Sequence, residues 1–421
     1  GMYFLYLDHY FRSMLLPSIL GFTVFILDGF LGSNAYSYFA LLMIIWGFTY
    51  TELWKRAQVK HAMTWGVYGF ENIEQNRPQF IGETISSPIH GGPELYFPVK
   101  KQRQRISFSN VTIFFAICVV LGFVSLIFLF TIFLQSAEIK KTLTISGLDI
   151  GSILASLVNA LVIQVLNFGY QYVAIYLNDY ENHRTDTKYE DYLIAKVFCF
   201  QMINCYASIF FTAYIKPFIG LAKIAGVLVP VCKNMDCKGE AGTILGTVFI
   251  ARLVLLLFLE ICIPMVRHSY VVKNETEGLE PGVKVTPIEK QYTLAEFDIL
   301  KDTLKDYSEL IIHYGYIILF VAAFPLVPAI AFVAGYILIR INGWKYCQIY
   351  RRPDPKSAEE IGTWQMFLEL VTTLSIPTNL AIIIFTTRQF INIRYYEKWI
   401  AFIAVEHFFL MVNYIISAVI P

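Results

Sequence analysis

Charged residues are scarce in this sequence: Asp, Glu, Lys and Arg make up 15% of the 421 residues, whereas hydrophobic residues make up 56%. A soluble domain usually has a charged share of about a quarter, so the composition excludes an ordinary soluble protein and favours a polytopic membrane protein. The formal net charge is only +1. No basic surface for nucleic acid is therefore indicated, and we expect no nucleic-acid partner.

Sequence motifs of the common enzyme classes are also missing. The chain contains no phosphate-binding P-loop, serine nucleophile elbow, HExxH zinc motif or paired CxxC motif, and we predict that it is not an enzyme. Its seven cysteines are scattered, but Cys232 and Cys237 share the polar stretch "PVCKNMDCKG". They form a disulfide if this loop faces an oxidising compartment, and otherwise remain free thiols.

Long apolar runs dominate what is present. Ten of them are long enough to cross roughly 30 Å of hydrocarbon as helices. Helices are expected because lipid offers no partner to unpaired backbone groups, and because the runs lack strand-type alternation. The predicted spans are 13–32, 33–54, 109–134, 150–177, 191–216, 242–266, 306–323, 325–343, 364–386 and 397–420. We therefore predict an all-α polytopic membrane protein with about ten transmembrane helices in a single domain, 1–421.

Basic residues set the predicted orientation. The loops after the second and the eighth spans are rich in Lys and Arg, and such loops remain on the cytosolic side of a membrane. Even-numbered spans then return inward, which makes 55–108 and 267–305 inside loops. The sequence does not distinguish the plasma membrane, the endoplasmic reticulum and other organelle membranes as the location of this multi-pass protein.

Three carboxylates are unusually placed. Glu260 lies in the apolar stretch "IARLVLLLFLEICIP" (250–264), and a carboxylate in hydrocarbon is costly unless it is neutralised. Asp306 and Glu309, in "KDYSEL", are three residues apart and share a helix face. If the three meet at one depth, a hard cation such as Ca²⁺ would relieve their repulsion. Alternatively, Asp306 and Glu309 are helix-start residues, and Glu260 is protonated or paired with Arg or Lys.

Several motifs resemble the anoctamin family of calcium-activated chloride channels and phospholipid scramblases. The most specific is the "ENHRT…YED" core within 177–215, at the junction of the fourth and fifth spans. Other similar stretches follow in the same order along the whole chain. They are "ELWKRAQVKHAMTWG" (52–66), "NRPQF" (76–80), the C…C loop at 232–237, "LEICIP" (259–264), "YGYIILFVAAFPLVP" (314–328), "RRPDPKSAEEIGTW" (351–364) and "AVEHFFLMVNYIISAVIP" (404–421). The resemblance implies the ten-span anoctamin fold.

The resemblance also implies a calcium site, reduced in this chain. In the family, two Ca²⁺ ions lie between the sixth, seventh and eighth spans and are held mainly by five acidic side chains. Matched by position, Glu260 takes the sixth-span acid, and Asp306 and Glu309 take the seventh-span pair. The eighth span has Leu338 and Asn342 where the family has acids. Glu260, Asp306, Glu309 and Asn342 are therefore the candidate metal ligands, enough for one weakly bound Ca²⁺ at most.

Polar residues on the fourth and fifth spans suggest a path for lipid headgroups, because the family builds its groove from these spans. The alternative is interhelical hydrogen bonding, which uses the same residue types at the same spacings. Arg252 on the sixth span meets a headgroup phosphate or an anion in the first interpretation, and pairs with an acid in the second. The candidate groove-lining residues are Gln164, Asn167, Gln171, Gln201, Asn204, Ser208, Thr212 and Arg252.

Two functions follow from the resemblance. The first is a membrane transport protein that moves phospholipids between leaflets or conducts ions; lipid is preferred because the polar faces are rich in amides and poor in fixed positive charge. The second is a non-transporting structural subunit of a larger membrane assembly. Three features favour it: the missing acidic calcium ligands of the eighth span, the lack of the family's N-terminal cytosolic domain, and the lack of glycine between Gly246 and Glu260. In the family, a glycine in the middle of the sixth span often lets that helix bend when the ion binds. The expected partners are membrane phospholipids, and a second copy of the chain or a larger complex.

Overall fold

The structure, a computed structural model, describes residues 1–27, 34–69, 74–86, 91–134, 144–145, 148–216, 223–224, 227–228, 237–276, 286–387, 390 and 392–420. The helices in these residues are α1 (Met2–Ile26), α2 (Ala35–Trp65), α3 (Val99–Leu134), α4 (Ile150–Glu181), α5 (Asp186–Phe210), α6 (Cys237–Thr276), α7 (Pro287–Tyr292), α8 (Ile299–Leu319), α9 (Val327–Gln348), α10 (Trp364–Ala381) and α11 (Tyr395–Val419). Short π-helical segments, Phe211–Ile215 and Ile382–Thr386, continue α5 and α10. Three antiparallel hairpins pair β1 (Glu83–Ser86) with β2 (Pro93–Tyr96), β3 (Thr144–Ile145) with β4 (Leu148–Asp149), and β5 (Lys223–Ile224) with β6 (Val227–Leu228).

The prediction of an all-α polytopic membrane protein is confirmed. Eight helices of the described chain, α1, α3, α4, α5, α6, α9, α10 and α11, are long and apolar enough to cross a membrane. Helices α2 and α8 lie at the other two predicted spans. Helix α8 is not apolar enough to count among the eight, because Asp302, Lys305, Asp306 and Glu309 interrupt its apolar sequence. Helix α2 is not apolar enough because its apolar part is rich in Tyr, Ser, Thr and Trp.

The described residues divide into two compact units. The first comprises residues 1–57, 234–357 and 369–421. In it α1 packs along α9: the Ser18 hydroxyl donates to the Pro328 carbonyl over 2.9 Å. Glycine permits this approach, because a Cβ at Gly21 would overlap the Pro325 carbonyl oxygen.

Helix α8 forms the interior of the first unit, and most of its side chains from Leu304 onward are buried. Its Tyr314 hydroxyl lies 2.7 Å from the Thr372 hydroxyl of α10. Asn379 of α10 donates to the Ile318 carbonyl over 2.7 Å and accepts from the Ala322 N–H over 3.1 Å. These bonds satisfy backbone groups that the end of α8 leaves unpaired.

The second unit comprises residues 58–233 and 358–368, with α3, α4 and α5 packed against one another. Helix α5 begins after Thr185, whose hydroxyl accepts the Lys188 N–H and caps the helix. Within this unit Phe198 packs on Phe367, with ring centroids 4.2 Å apart. The unit thus presents the α4–α5 pair on which the polar residues of the predicted groove lie.

Candidate functional site

Glu260 is neutralised by two lysines rather than left alone. Its carboxylate lies on α6, and one oxygen, Oε1, accepts a hydrogen bond from Lys305 of α8. The other, Oε2, accepts from Lys345 of α9. The Glu260 and Lys345 side chains are 4% and 5% exposed, so this ion pair is withdrawn from solvent, whereas Lys305 is 44% exposed. The arrangement matches the alternative in which Glu260 pairs with basic side chains.

The other candidate ligands also have partners within the protein. Asp306 accepts a hydrogen bond from the Tyr346 hydroxyl over 2.7 Å. Asp306 is also within electrostatic reach of Lys305, so it lies near the ion pairs of Glu260. The Asn342 amide donates to the Tyr3 hydroxyl of α1 over 2.9 Å.

Glu309 lines a pocket that is otherwise mostly apolar. Arg252 of α6 and His313 of α8 line the same pocket, together with Leu257 and Leu338. Glu309 lies within electrostatic reach of both Arg252 and Lys305. Arg252 itself is buried and lies over the Tyr316 ring, 5.7 Å from its centroid. Arg252 therefore lies within electrostatic reach of Glu309, and contact of Arg252 with a headgroup phosphate or an anion stays a prediction.

As they lie, these side chains do not fit a calcium ion. Calcium binds six to eight oxygens, whereas an ammonium group offers only donors. Both oxygens of Glu260 already accept from ammonium groups. Among the residues that the structure describes, no three His, Cys, Asp or Glu side chains form a group that could hold a metal ion. Binding of one weak Ca²⁺ stays a prediction.

The polar residues of α4 and α5 separate into two sets. The first set forms the seam between the two helices: the Asn204 amide donates to the Asn167 side chain over 2.8 Å and to the Ile163 carbonyl over 3.0 Å. One turn along the seam, Asn159 donates to the Ser208 hydroxyl over 2.9 Å. Thr212 bonds the Ser208 carbonyl of its own helix. The bonds of Asn204 and Ser208 to α4 hold the two helices together, which fits the interhelical interpretation, whereas the Thr212 bond lies within its own helix.

The second set has no such role. Gln164 and Gln171 are half-buried on α4, and their side-chain amides make no hydrogen bond with any other residue of the described chain. They lie two helical turns apart on one face, with Phe168 between them. On α5, the buried Oε1 of Gln201 likewise finds no hydrogen-bond partner among the described residues. A polar group without a partner is costly in an apolar setting.

The "ENHRT…YED" motif forms a buried charge network that its pattern alone does not reveal. Lys196 donates to Glu181 Oε2 over 2.7 Å and to the Asn178 side-chain oxygen over 3.0 Å. His183 Nε2 lies 2.8 Å from the same Glu181 oxygen. Lys196 falls five residues after the motif ends, and that spacing was its only signal in the sequence. The network joins the end of α4 to α5.

The predicted disulfide lies outside the described residues, because Cys232 is not among them. It stays a prediction. Lys305 and Lys345 are the site residues that sequence reasoning missed. Their signals were weak: Lys305 immediately precedes Asp306, and Lys345 follows Asn342 by three residues, on the same helix face.

Comparison with known proteins extends the resemblance across the chain. The family model described as "Anoctamin: Calcium-activated chloride channel" matches residues 1–421. Human Anoctamin-10 is 26% identical over all of this chain and 62% of its own length. Human Anoctamin-7 is 30% identical over 86% of the chain and 40% of its own length, and mouse Anoctamin-4 is 29% identical over 85% and 39%. The chain thus spans less than two thirds of these relatives. The resemblance predicted from motifs is confirmed.

Proposed function

Because the chain belongs to the anoctamin family, we propose that it is a membrane transport protein that moves phospholipids between leaflets, with little or no dependence on calcium. The observation that carries the proposal is the family match over all 421 residues. The family description names a channel rather than an enzyme, which supports transport as the class of activity. Ion conduction is the second transport activity that this match supports.

Unpaired amides on α4 favour lipid over anion transport. A headgroup that crosses the hydrocarbon needs hydrogen-bonding groups along its way, and Gln164 and Gln171 offer two without breaking any bond within the described chain. Their neighbours on the helix, Val165, Phe168 and Tyr172, are exposed apolar or aromatic side chains suited to acyl chains. Fixed positive charge, which would attract anions, is absent from α4.

The experiment is a flux assay on the purified chain in liposomes. Fluorescent phospholipids would be bleached from outside by dithionite, with Ca²⁺ or with EGTA present. We expect wild-type flux in both conditions, and a several-fold lower initial rate for the double variant Gln164→Leu/Gln171→Leu. Phe168→Leu is the matched control, because it changes the side chain between the two glutamines without changing polarity.

The outcomes separate the candidate functions. Lipid flux that the double variant lowers and Phe168→Leu does not would support the proposal, whereas equal rates would refute the role of the amides. Ion flux without lipid flux would identify a channel. If the wild-type chain moves neither lipid nor ions under either condition, transport is overturned and the structural subunit is favoured. The paired amides between α4 and α5 and the neutralised Glu260 fit that alternative.

A further inference from the structure

The ion pairs of Glu260 join three helices at one point. The carboxylate belongs to α6, and its two ammonium partners belong to α8 and α9. Each oxygen of the carboxylate has a separate lysine, so the group bridges both helices at once. Because Lys345 is 5% exposed, solvent and salt screen this connection far less than a surface ion pair.

The acids around Glu260 are accompanied by basic side chains. Glu260, Asp306 and Glu309 lie near the basic groups Lys305, Lys345 and Arg252. Asp302 of α8 is a further acid within electrostatic reach of Lys305 and Asp306. A divalent cation added here would meet two ammonium groups already in contact with the same carboxylate, and its repulsion from them would offset its attraction to the acids.

We propose that the ammonium groups of Lys305 and Lys345 act as a tethered cation, which takes the place of a bound metal ion and holds α6, α8 and α9 together through Glu260. The protein thereby carries its own positive charge at this position, supplied by its own side chains. The connection is present whether or not calcium is available. This inference does not depend on transport, because ion binding and stability test it directly.

The consequence differs from that of a weak calcium site. A bound ion leaves when its concentration falls, whereas a lysine on a helix stays at a fixed local concentration. Calcium should therefore add no stability to the wild-type protein, since a ligand stabilises only the state that it binds. Loss of Lys345 should weaken the helix contact at every calcium concentration, because it leaves a buried carboxylate with only its half-exposed partner.

The test uses the full chain in detergent. Thermal unfolding is measured in millimolar Ca²⁺ and in EGTA, and ⁴⁵Ca²⁺ binding is measured without chelator. For the wild type we expect the same Tm in both unfolding conditions and no saturable Ca²⁺ binding. Lys345→Met should lower the Tm by several degrees in both conditions. Lys301→Met is the matched control, because Lys301 pairs with Asp298 on the same helix as Lys305 but is 54% exposed; its Tm should stay near the wild-type value.

A double variant tests whether the lysines occupy the place of an ion. In Lys305→Met/Lys345→Met the acids lose their ammonium partners, so Ca²⁺ should now raise the Tm and bind saturably, and adding Glu260→Gln should remove both effects. Identical melting of the double variant with and without Ca²⁺ would overturn the proposal. Saturable Ca²⁺ binding by the wild type that Glu260→Gln abolishes would also overturn it. The same holds if Lys345→Met proves as stable as Lys301→Met. The wild-type and single-variant results decide even if the double variant does not fold.

Discussion

Lys196→Met should destabilise the second unit more than any exposed charge change of the same kind. Lys196 Nζ lies 2.7 Å from Glu181 Oε2, and the two side chains are 5% and 0% exposed. Methionine keeps most of the apolar stem of lysine and removes its charge. The substitution therefore leaves the Glu181 carboxylate buried without its ammonium partner.

The expected loss is about 3 kcal/mol in the free energy of unfolding. Removing one partner of a buried ion pair costs about 3–5 kcal/mol, because the other charge stays behind uncompensated. His183 still contacts the same Glu181 oxygen over 2.8 Å, which places the expected loss at the lower end. Arg12 and Asp8 supply the comparison: their distance is also 2.7 Å, but the side chains are 80% and 53% exposed. Arg12→Met should cost no more than about 1 kcal/mol.

The assay is equilibrium unfolding in mixed detergent micelles, followed by helical circular dichroism as the denaturing detergent is increased. A double-mutant cycle with Glu181→Gln isolates the coupling between the two residues. We expect Lys196→Met/Glu181→Gln to be more stable than Lys196→Met alone, because the uncompensated charge is then gone. A Lys196→Met loss no larger than that of Arg12→Met would refute the reasoning from burial.

Two further changes probe the first unit by the same unfolding assay. Asp298 caps α8; partial burial opposes its ionisation, but hydrogen bonds from the Lys301 backbone and side chain outweigh this and lower the pKa of the carboxyl. The contribution of the ionised Asp298 to stability is thus fully present above the ordinary Asp pKa and is lost as the pH falls through the lowered value. Asp298→Ala should therefore cost about 1 kcal/mol at neutral pH, and its difference from wild type should vanish in strong acid. A pH-independent difference would contradict the assignment. Gly21→Ala should cost about 1–3 kcal/mol, because its Cβ would overlap the backbone oxygen of Pro325. Gly122→Ala, with open space around it, should be neutral or slightly stabilising. Equal effects of the two substitutions would refute the close approach of α1 to Pro325, just before α9.

Apolar length predicted where helices lie but not where they end. A helix lies at each of the ten predicted spans, because lipid leaves few other ways to pair the backbone. The ends differ where polar helical residues extend the span: α6 runs from Cys237 to Thr276, against a predicted 242–266. Helix α3 begins at Val99, ten residues before its predicted span, through a basic stretch. Hydropathy carries no signal for these extensions, because they depend on helix propensity and on local contacts.

Partners of buried polar groups were harder to predict than their positions. The sequence placed Glu260, Asp306 and Glu309 on adjoining helices, but both lysine partners also fit the pattern of basic residues at a membrane surface. Which interpretation holds depends on how far each helix is rotated about its axis, and an apolar helix such as α9 gives little rotational signal. Asn204 and Gln164 show the same limit, since a seam and a groove use the same amides at the same spacing.

A tethered cation would also limit how the protein is controlled. A ligand shifts a conformational equilibrium only by the difference in its affinity for the two states. If Lys305 and Lys345 occupy the place of an ion in every state, calcium has no differential affinity at Glu260 and cannot open or close a path from there. Control would then require a change in the ion pairs themselves. Of the two lysines, Lys345 should matter more, because its buried ammonium group is not solvated by water when the ion pair breaks. A transport rate that is unchanged by calcium in the wild type but becomes calcium-dependent in Lys305→Met/Lys345→Met would connect this charge to movement of the helices.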